Sequence, residues 1–416
     1  MCMRLFNSRE LKNPVDVAIG CCVVLVAASG GAVMHAASLA MAVLFILSLF
    51  YINSWRVAWN SLERVEKLVC LGFILYTLTG FLSWINAADQ VDFVKQAGRY
   101  LRFTLIIPIY LMIRYRAINL TPYFIVGVVL SGFVYFGFAI HDTQLQMVAT
   151  GQYHRITYSN AIMLNVGILG LLLMAKSRRP IYTVIIGISF LFGFISVILS
   201  ESRTSWMVLP VYVIIFMIFI IANKEASYKK LAIAILTIVA LLPFTPAVDV
   251  VKDRYAAGVS DLHLFDKDEN YNTSLGTRFS LWYIAYEVWK EHPIIGTGLG
   301  DFDEDMARYQ EIGVYPGVIL NNATHNIYFQ ALAGTGIVGL VVLCFSLVIA
   351  PLMLFYQTHN KHDIFRLIGY MLVLTYAIFG LSESWMLRSP VISIFLIYMV
   401  SIASTLKCNE ADTAKR

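Results

Sequence analysis

Charge is what this chain has least of: Asp, Glu, Lys and Arg together make up 14% of its 416 residues, against 59% hydrophobic residues. A soluble domain carries roughly a quarter charged residues, so a water-soluble globular fold is excluded. Cysteine is scarce, at 6 residues, and none falls between residues 248 and 323, the one long polar stretch. A disulfide framework there is excluded. Carboxylates are almost missing from the apolar segments, where only Asp16 and Glu383 lie near segment ends. Proton-coupled carriers generally keep acidic groups in the middle of the membrane, so coupled transport is disfavoured. No strand precedes Gly296-Thr297-Gly298-Leu299-Gly300 and no βαβ unit fits around it. Those glycines are therefore read as a tight turn, not a nucleotide-binding loop. Nucleic acid is not expected as a partner, and no cofactor is expected.

What is present in abundance is long apolar runs. A bilayer core about 30 Å thick needs roughly 20 apolar residues per helix, and about twelve such segments can be marked. They cover residues 15–29, 36–53, 67–86, 96–113, 119–141, 158–175, 180–199, 205–222, 231–246, 327–356, 364–382 and 389–406. The expected fold is an all-α polytopic membrane protein, with a kink at Ser29-Gly30-Gly31 as an alternative reading of the first two segments. With the N-terminus inside, every inner connection is basic, from Arg4, Arg9 and Lys12 through Arg114 and Arg116 to Lys407, Lys415 and Arg416. The positive-inside rule then puts both termini in the cytoplasm. No cleavable signal pattern is expected at the N-terminus. The chain divides into N-terminal transmembrane helices (1–247), one large outer loop (248–323), C-terminal transmembrane helices (324–406) and a cytoplasmic tail (407–416). Within the loop, Thr277 is expected to cap a helix through Phe279, Trp282, Ala285, Tyr286 and Trp289 that Pro293 stops, with its aromatics on one face against the membrane or the bundle roof.

The loop ends in Thr324-His325-Asn326-Ile327-Tyr328, which places an imidazole where the next apolar segment begins. Imidazole is the side chain best suited to take a proton near neutral pH. An interfacial His that merely caps the helix is the alternative. Arginine at outer helix ends runs against the positive-inside rule, yet Arg99, Arg102, Arg155, Arg203 and Arg388 all fall there. Helix N-termini repel an unpaired cation but, joined to a guanidinium, form a phosphate site. A multiply charged anion, phosphate above all, is the expected ligand. For Arg99 and Arg102 the competing reading is pairing with Asp89 and Asp92 or contact with lipid headgroups. For Arg388 it is pairing with Glu383, and for Arg203 with Glu201. Arg278 alone in the loop would be a solvated charge. Asp301-Phe302-Asp303-Glu304-Asp305 has the look of a metal-holding Asp-x-Asp, but the acidic start of a solvated helix explains it equally well, and no metal site is expected.

Taken together these residues resemble a known pattern. His325-Asn326 followed by Gly336 and Gly339 resembles the signature of the O-antigen ligase and polymerase superfamily. Ser202-Arg203-Thr204-Ser205-Trp206 looks like its Ser-Arg-Gly-Ala-Trp helix start, departing at Thr204-Ser205. Pro293-Ile294-Ile295-Gly296-Thr297-Gly298-Leu299-Gly300 is similar to its Pro-x-x-Gly-x-Gly-x-Gly stretch, and His154-Arg155 matches another basic position. The resemblance implies a metal-independent GT-C-type glycosyltransferase on the periplasmic face of a bacterial inner membrane. The implied donor is an O-antigen glycan on undecaprenyl diphosphate, and the implied acceptor is the lipid A-core oligosaccharide. His325 would be the catalytic base, with Arg203, Arg278, Arg155, Arg388 and Asn326 binding substrate among membrane lipids. One imidazole suffices for an already activated donor, and the expected outcome is inversion. An O-antigen polymerase using the same donor is the nearest alternative, and a non-enzymatic flippase for lipid-linked sugars is a more distant one.

Overall fold

In a computed structural model, residues 13–175, 179–223, 271–315, 318–319, 321, 323–357 and 363–414 are described, with isolated positions between 228 and 261. Among them the secondary structure is helical and no strand occurs. In chain order the helices of the first half are α1 (Pro14–Ser29), α2 (Ala36–Leu49), α3 (Ile52–Ser61), α4 (Arg64–Leu82), α5 (Gln90–Arg116), α6 (Thr121–Gln144), α7 (Arg155–Met174), α8 (Pro180–Leu199) and α9 (Leu209–Ala222). After the part of the loop outside the described residues come α10 (Ser274–Glu291), α11 (Phe302–Glu311), α12 (Ile327–Cys344), α13 (Ala350–Tyr356), α14 (Ile364–Phe379) and α15 (Ser389–Ala414).

The chain is a multi-pass membrane protein, but the expected count of about twelve spans is not met in full. Among the described residues seven helices are long and apolar enough to cross a membrane, or eight if a bent pair counts as one. The bent pair is α2 with α3, which turn 95° on each other, so the run expected at 36–53 is broken. Its cause is polarity: Asn53, Ser54 and Arg56 enter just after Phe50, and α3 runs off sideways. α1 and α14 are apolar but shorter, at 16 residues each, or about 24 Å of rise. α5 is 27 residues long but carries Asp92, Lys95, Arg99 and Arg102 in its first half. The segment expected at 231–246 lies largely outside the described residues.

The helix connections gather at two ends, as alternating spans require. At one end Arg116 pairs with Asp16 at 2.6 Å, Lys407 with Glu63 at 2.6 Å, and buried Glu66 with Arg114 at 3.0 Å and with the Tyr110 hydroxyl. At the other end Met34 donates to Gln152, Ala149 to the Leu199 carbonyl and Ile327 to the Gly380 carbonyl. Between them α7 is almost wholly buried, from Thr157 to Met174, with α6, α8, α14 and α9 packed around it. Small residues let these helices approach. A Cβ on Gly132 would stand 2.2 Å from the Ser189 carbonyl oxygen, while the Ser189 hydroxyl itself donates to Val129 O at 2.7 Å.

The described part of the loop has its own small core. Leu281, Ile284, Ala285 and Val288 of α10 meet Phe302, Met306 and Tyr309 of α11, with Ala333 of α12 beneath them. The buried face of α10 is thus mostly aliphatic; of the aromatics expected on one face, Trp282 stacks on Phe329 of α12 and donates its Nε1 to Thr324 O at 3.0 Å, whereas Tyr286 is exposed. The cap also differs from expectation: Thr273, not Thr277, accepts the Gly276 amide, because the Thr277 hydroxyl donates back to Tyr271 O. The Gly296–Gly300 stretch is the expected turn, with φ of 72°, 136° and 108° at its three glycines. It threads between α12 and the α4–α5 connection, where Thr297 N donates to Ala333 O and Asn86 to Gly296 O. Asp301 accepts the amides of Ala88 and Asp89 at 2.8 and 2.9 Å, and Asp305 accepts the Thr297 hydroxyl at 2.8 Å. Asp301 therefore fastens the loop to the α4–α5 connection, while Asp305 braces the loop internally.

Candidate active site

His325 sits where the loop subdomain, α12 and the α14–α15 connection meet. Its backbone is left-handed, at φ 52°, a conformation that costs a non-glycine residue energy and concentrates at functional positions. What holds it there is a lattice of buried hydroxyls and amides. Thr324 donates its hydroxyl to Asn326 O at 2.6 Å, Asn326 N donates to the Ser384 hydroxyl at 3.1 Å, and Thr324 N donates to Gln330 at 2.8 Å. Asn326 caps α12 by accepting from Tyr328 N and Phe329 N, and its amide nitrogen donates to Leu381 O at 3.1 Å. Asn326 was expected at the substrate; in the structure it is buried and its side chain serves the cap.

The two nitrogens of the His325 ring have different neighbours. Nδ1 faces Glu383 Oε2 at 3.6 Å, and Asn321 Nδ2 stands 3.2 Å from Nε2. Asn321 Oδ1 accepts the Ala323 amide at 3.1 Å, which fixes which end of the Asn321 side chain is the donor. Asn321 therefore donates to Nε2, which is the ring's lone-pair nitrogen, and the proton of the neutral ring is on Nδ1. The imidazole is 26% exposed and Glu383 3% exposed.

Glu383 is shared. Its Oε1 accepts from Nε and Nη2 of Arg388 at 3.1 and 3.0 Å, so of the two readings for Arg388 the structure contains the ion pair. Burial pushes the Glu383 carboxyl up, yet the His325 imidazole and the Arg388 guanidinium more than offset that and hold it at about 2. A cleft beside this pair is lined by Ile156, Thr157 and Asn160 of α7, Tyr376 of α14, Glu383 and Arg388.

Four arginines expected at an anion converge on this end. Arg155 opens α7 directly after His154, whose Nδ1 accepts the Ile156 amide. Arg203 precedes a short 3-10 turn, Thr204–Val208, anchored by Thr204 to the Ser202 hydroxyl at 2.9 Å and to Asn160 at 3.5 Å. Of the departure from the resembled pattern, Thr204 thus ties the Arg203 turn to α7, while the Ser205 hydroxyl donates back to Ser202 O at 2.9 Å. Its guanidinium lies 3.6 Å from Asp261, in place of the Glu201 partner considered from sequence. Arg278 on α10 is more than a solvated charge. Burial pushes its pKa down, Glu383 and Asp261 oppose this, and Arg203 and Arg155 add to it, so all four charges act on it. Burial likewise lowers His154, as do Arg388, Arg155 and His325 against the pull of Glu383, leaving it a neutral imidazole at pH 7. Arg102 belongs elsewhere: it donates to Ser393 at 3.1 Å, while Asp89 caps α5 and Asp92 pairs with Lys95.

Reading the sequence missed Glu383 as a neighbour of His325, Asn321 on Nε2, and Asp261 beside Arg203. Only Glu383 left a signal, being the lone carboxylate at the outer end of the last apolar segments. Among the described residues no group of three His, Cys, Asp or Glu is placed to hold a metal ion.

Residues 188–344 match the family model described as O-Antigen ligase. That region contains Arg203, Arg278, Asn321, His325 and Asn326, whereas Arg155, Glu383 and Arg388 lie outside it. A protein of Haemophilus influenzae, carried under the name "Uncharacterized protein", is 32% identical over 188 residues, 42% of this chain and 46% of the relative. The match thus spans less than half of that relative's length. A left-handed histidine just before α12, a packed Gly296–Gly300 turn and Arg203 all fall within the matched segment, which is what this chain shares with the O-antigen ligase family.

Proposed function

We propose that this protein is a glycosyltransferase that moves an O-antigen glycan from undecaprenyl diphosphate to the lipid A-core oligosaccharide, on the periplasmic face of the inner membrane. The observation that carries the reading is the pairing of a ring nitrogen lone pair on His325 with four convergent arginines, at one end of a membrane-embedded bundle. A lipid diphosphate is a multiply charged leaving group, which Arg155, Arg203, Arg278 and Arg388 would hold and neutralise as charge develops. His325 takes the proton from the attacking acceptor hydroxyl through Nε2. The hydroxyl oxygen forms a bond to the anomeric carbon while the bond from that carbon to the diphosphate oxygen breaks, and its electron pair leaves with the lipid diphosphate. A single displacement inverts the anomeric centre. Asn326 contributes by fixing the start of α12 beneath the histidine.

The donor already stores the energy for transfer, so no ATP is required, and the arginines rather than a divalent metal would neutralise the leaving diphosphate. The test is reconstitution of the purified protein in proteoliposomes with lipid A-core and a purified undecaprenyl diphosphate glycan, with and without EDTA. Glycan attached to lipid A-core in both arms supports the reading. Lengthening of the lipid-linked glycan would identify a polymerase, transbilayer movement without a new bond would identify a flippase, and loss of transfer in EDTA restored by Mg²⁺ would overturn metal independence.

A further inference from the structure

Glu383 Oε2 and His325 Nδ1 face each other 3.6 Å apart, both buried, and neither has a hydrogen-bond partner among the described residues. Two buried polar atoms left unmatched while aimed at one another call for an explanation. One lies in the other oxygen of the same carboxylate, which accepts twice from Arg388 and so turns the group toward the guanidinium. The Nδ1 proton is already in place, because Asn321 occupies the lone pair on Nε2. A small rotation of the Glu383 side chain would close the gap to a charge-assisted hydrogen bond, and what resists it is Arg388.

Arg388 is also one of the cations that would hold the donor, so an anion at the site and Glu383 compete for it. We propose that Glu383 is a positioning residue that passes from Arg388 to His325 when the donor diphosphate takes Arg388, making the imidazole an effective base only once there is an electrophile to attack. This rests on the transferase reading of the site. The other charged and titratable groups about the ring, His154 and Arg155 on α7, Arg278 on α10, and Arg203 with Asp261, supply no second carboxylate as close to Nδ1. During transfer the acceptor proton goes to Nε2, the Nδ1 proton stays in the hydrogen bond to Glu383, and the resulting imidazolium lies beside a full negative charge that Arg388 no longer neutralises. The arrangement orders events: donor first, then deprotonation of the acceptor.

The experiment is proton and nitrogen NMR of ¹⁵N-histidine-labelled protein in nanodiscs, with and without undecaprenyl diphosphate, whose binding is followed in the same samples by ³¹P NMR. An Nδ1 proton hydrogen-bonded to a carboxylate moves far downfield. In the wild type that signal should appear for His325 when the lipid is added. In Glu383→Gln it should be absent in both conditions, and in Arg388→Ala it should be present without lipid. A wild-type spectrum that already shows the signal before lipid, or lipid that binds without producing it, overturns the exchange and leaves the transferase reading standing. A signal that appears on adding lipid to Glu383→Gln overturns it as well, since the field of the diphosphate would then be its cause. Lipid that fails to bind the wild type overturns both.

Discussion

Asn321 donates its side-chain amide hydrogen to Nε2 of His325 across 3.2 Å, covering the lone pair that would take the acceptor proton. On the proposed mechanism an acceptor hydroxyl would have to displace that amide before activation, and His325 would be shielded from stray water until a sugar arrives. Asn321→Asp replaces the donor with a carboxylate against Nε2, which favours the protonated ring. The acid limb of the rate–pH profile should then move to higher pH, and turnover at pH 7 should fall and recover as the pH is raised. An unmoved limb would mean that Asn321 does not touch the base in the working enzyme.

Replacing His325 by Ala should leave donor binding intact and cost roughly 10²-fold or more in turnover, as expected for a positioned general base. His292, the residue that ends α10, should tolerate the same change far better. In the wild type, rate should fall as pH drops, as for any reaction that needs a free general base. Glu383, held at about 2, stays ionised across that range, and His154 is already neutral at pH 7. His154→Gln should therefore keep the limb; its disappearance in that variant would assign the titration to His154. Poor donor binding by His325→Ala with normal turnover at saturation would make the ring a binding contact.

Arg203→Lys keeps a positive charge and loses the planar fork, so transfer should drop tenfold or more, about 1.4 kcal/mol per decade. Arg278→Ala should behave alike, because Arg278 lies within the field of Arg203, Arg155 and Glu383. The measurement is initial rate at matched protein levels over a range of donor concentrations. Wild-type rates in both would leave these side chains only structural work.

Gly336 breaks α12 with φ 65° and ψ −166°, a region essentially closed to other residues. A Cβ there would lie 2.3 Å from Ile294 O, where the turn after α10 hands its carbonyls to Ile337 N and Val338 N. Gly336→Ala should cost at least about 1–3 kcal/mol in backbone strain alone. Thermal denaturation in detergent would show a lowered midpoint, and an unchanged midpoint would mean that the kink relaxes.

How far the sequence carried depended on the range of the interaction. The starts of the helices near Val15, Pro180 and Ile327 were legible because the apolar runs begin there, and the turn at Gly296 because glycine declares backbone freedom. His325 and Arg203 stood out as chemistry in the wrong place for a lipid-facing segment. Hidden from view was everything made by two distant stretches of chain. Nothing local to Glu383 says that its second oxygen faces His325, and nothing local to Asp301 says that it holds the amides of Ala88 and Asp89. The cap of α10 slipped from Thr277 to Thr273 because the turn at Tyr271 claimed the Thr277 hydroxyl. α5 was legible only for its apolar half, since its first turns are polar.

The parts of the site arrive at very different times during synthesis. Arg155 and Arg203 enter the membrane early, the loop with Arg278 and His325 follows, and Glu383 with Arg388 comes only with the connection into α15. A nascent chain still lacking α14 and α15 has most of its arginines but no carboxylate behind the imidazole, and Asn326 has no Leu381 or Ser384 to fasten it. Such a chain would be able to attract an anionic lipid before it is able to cleave one. On the proposed function, a lipid-linked donor would in this way be kept from half-built enzyme by the order in which a ribosome delivers the residues.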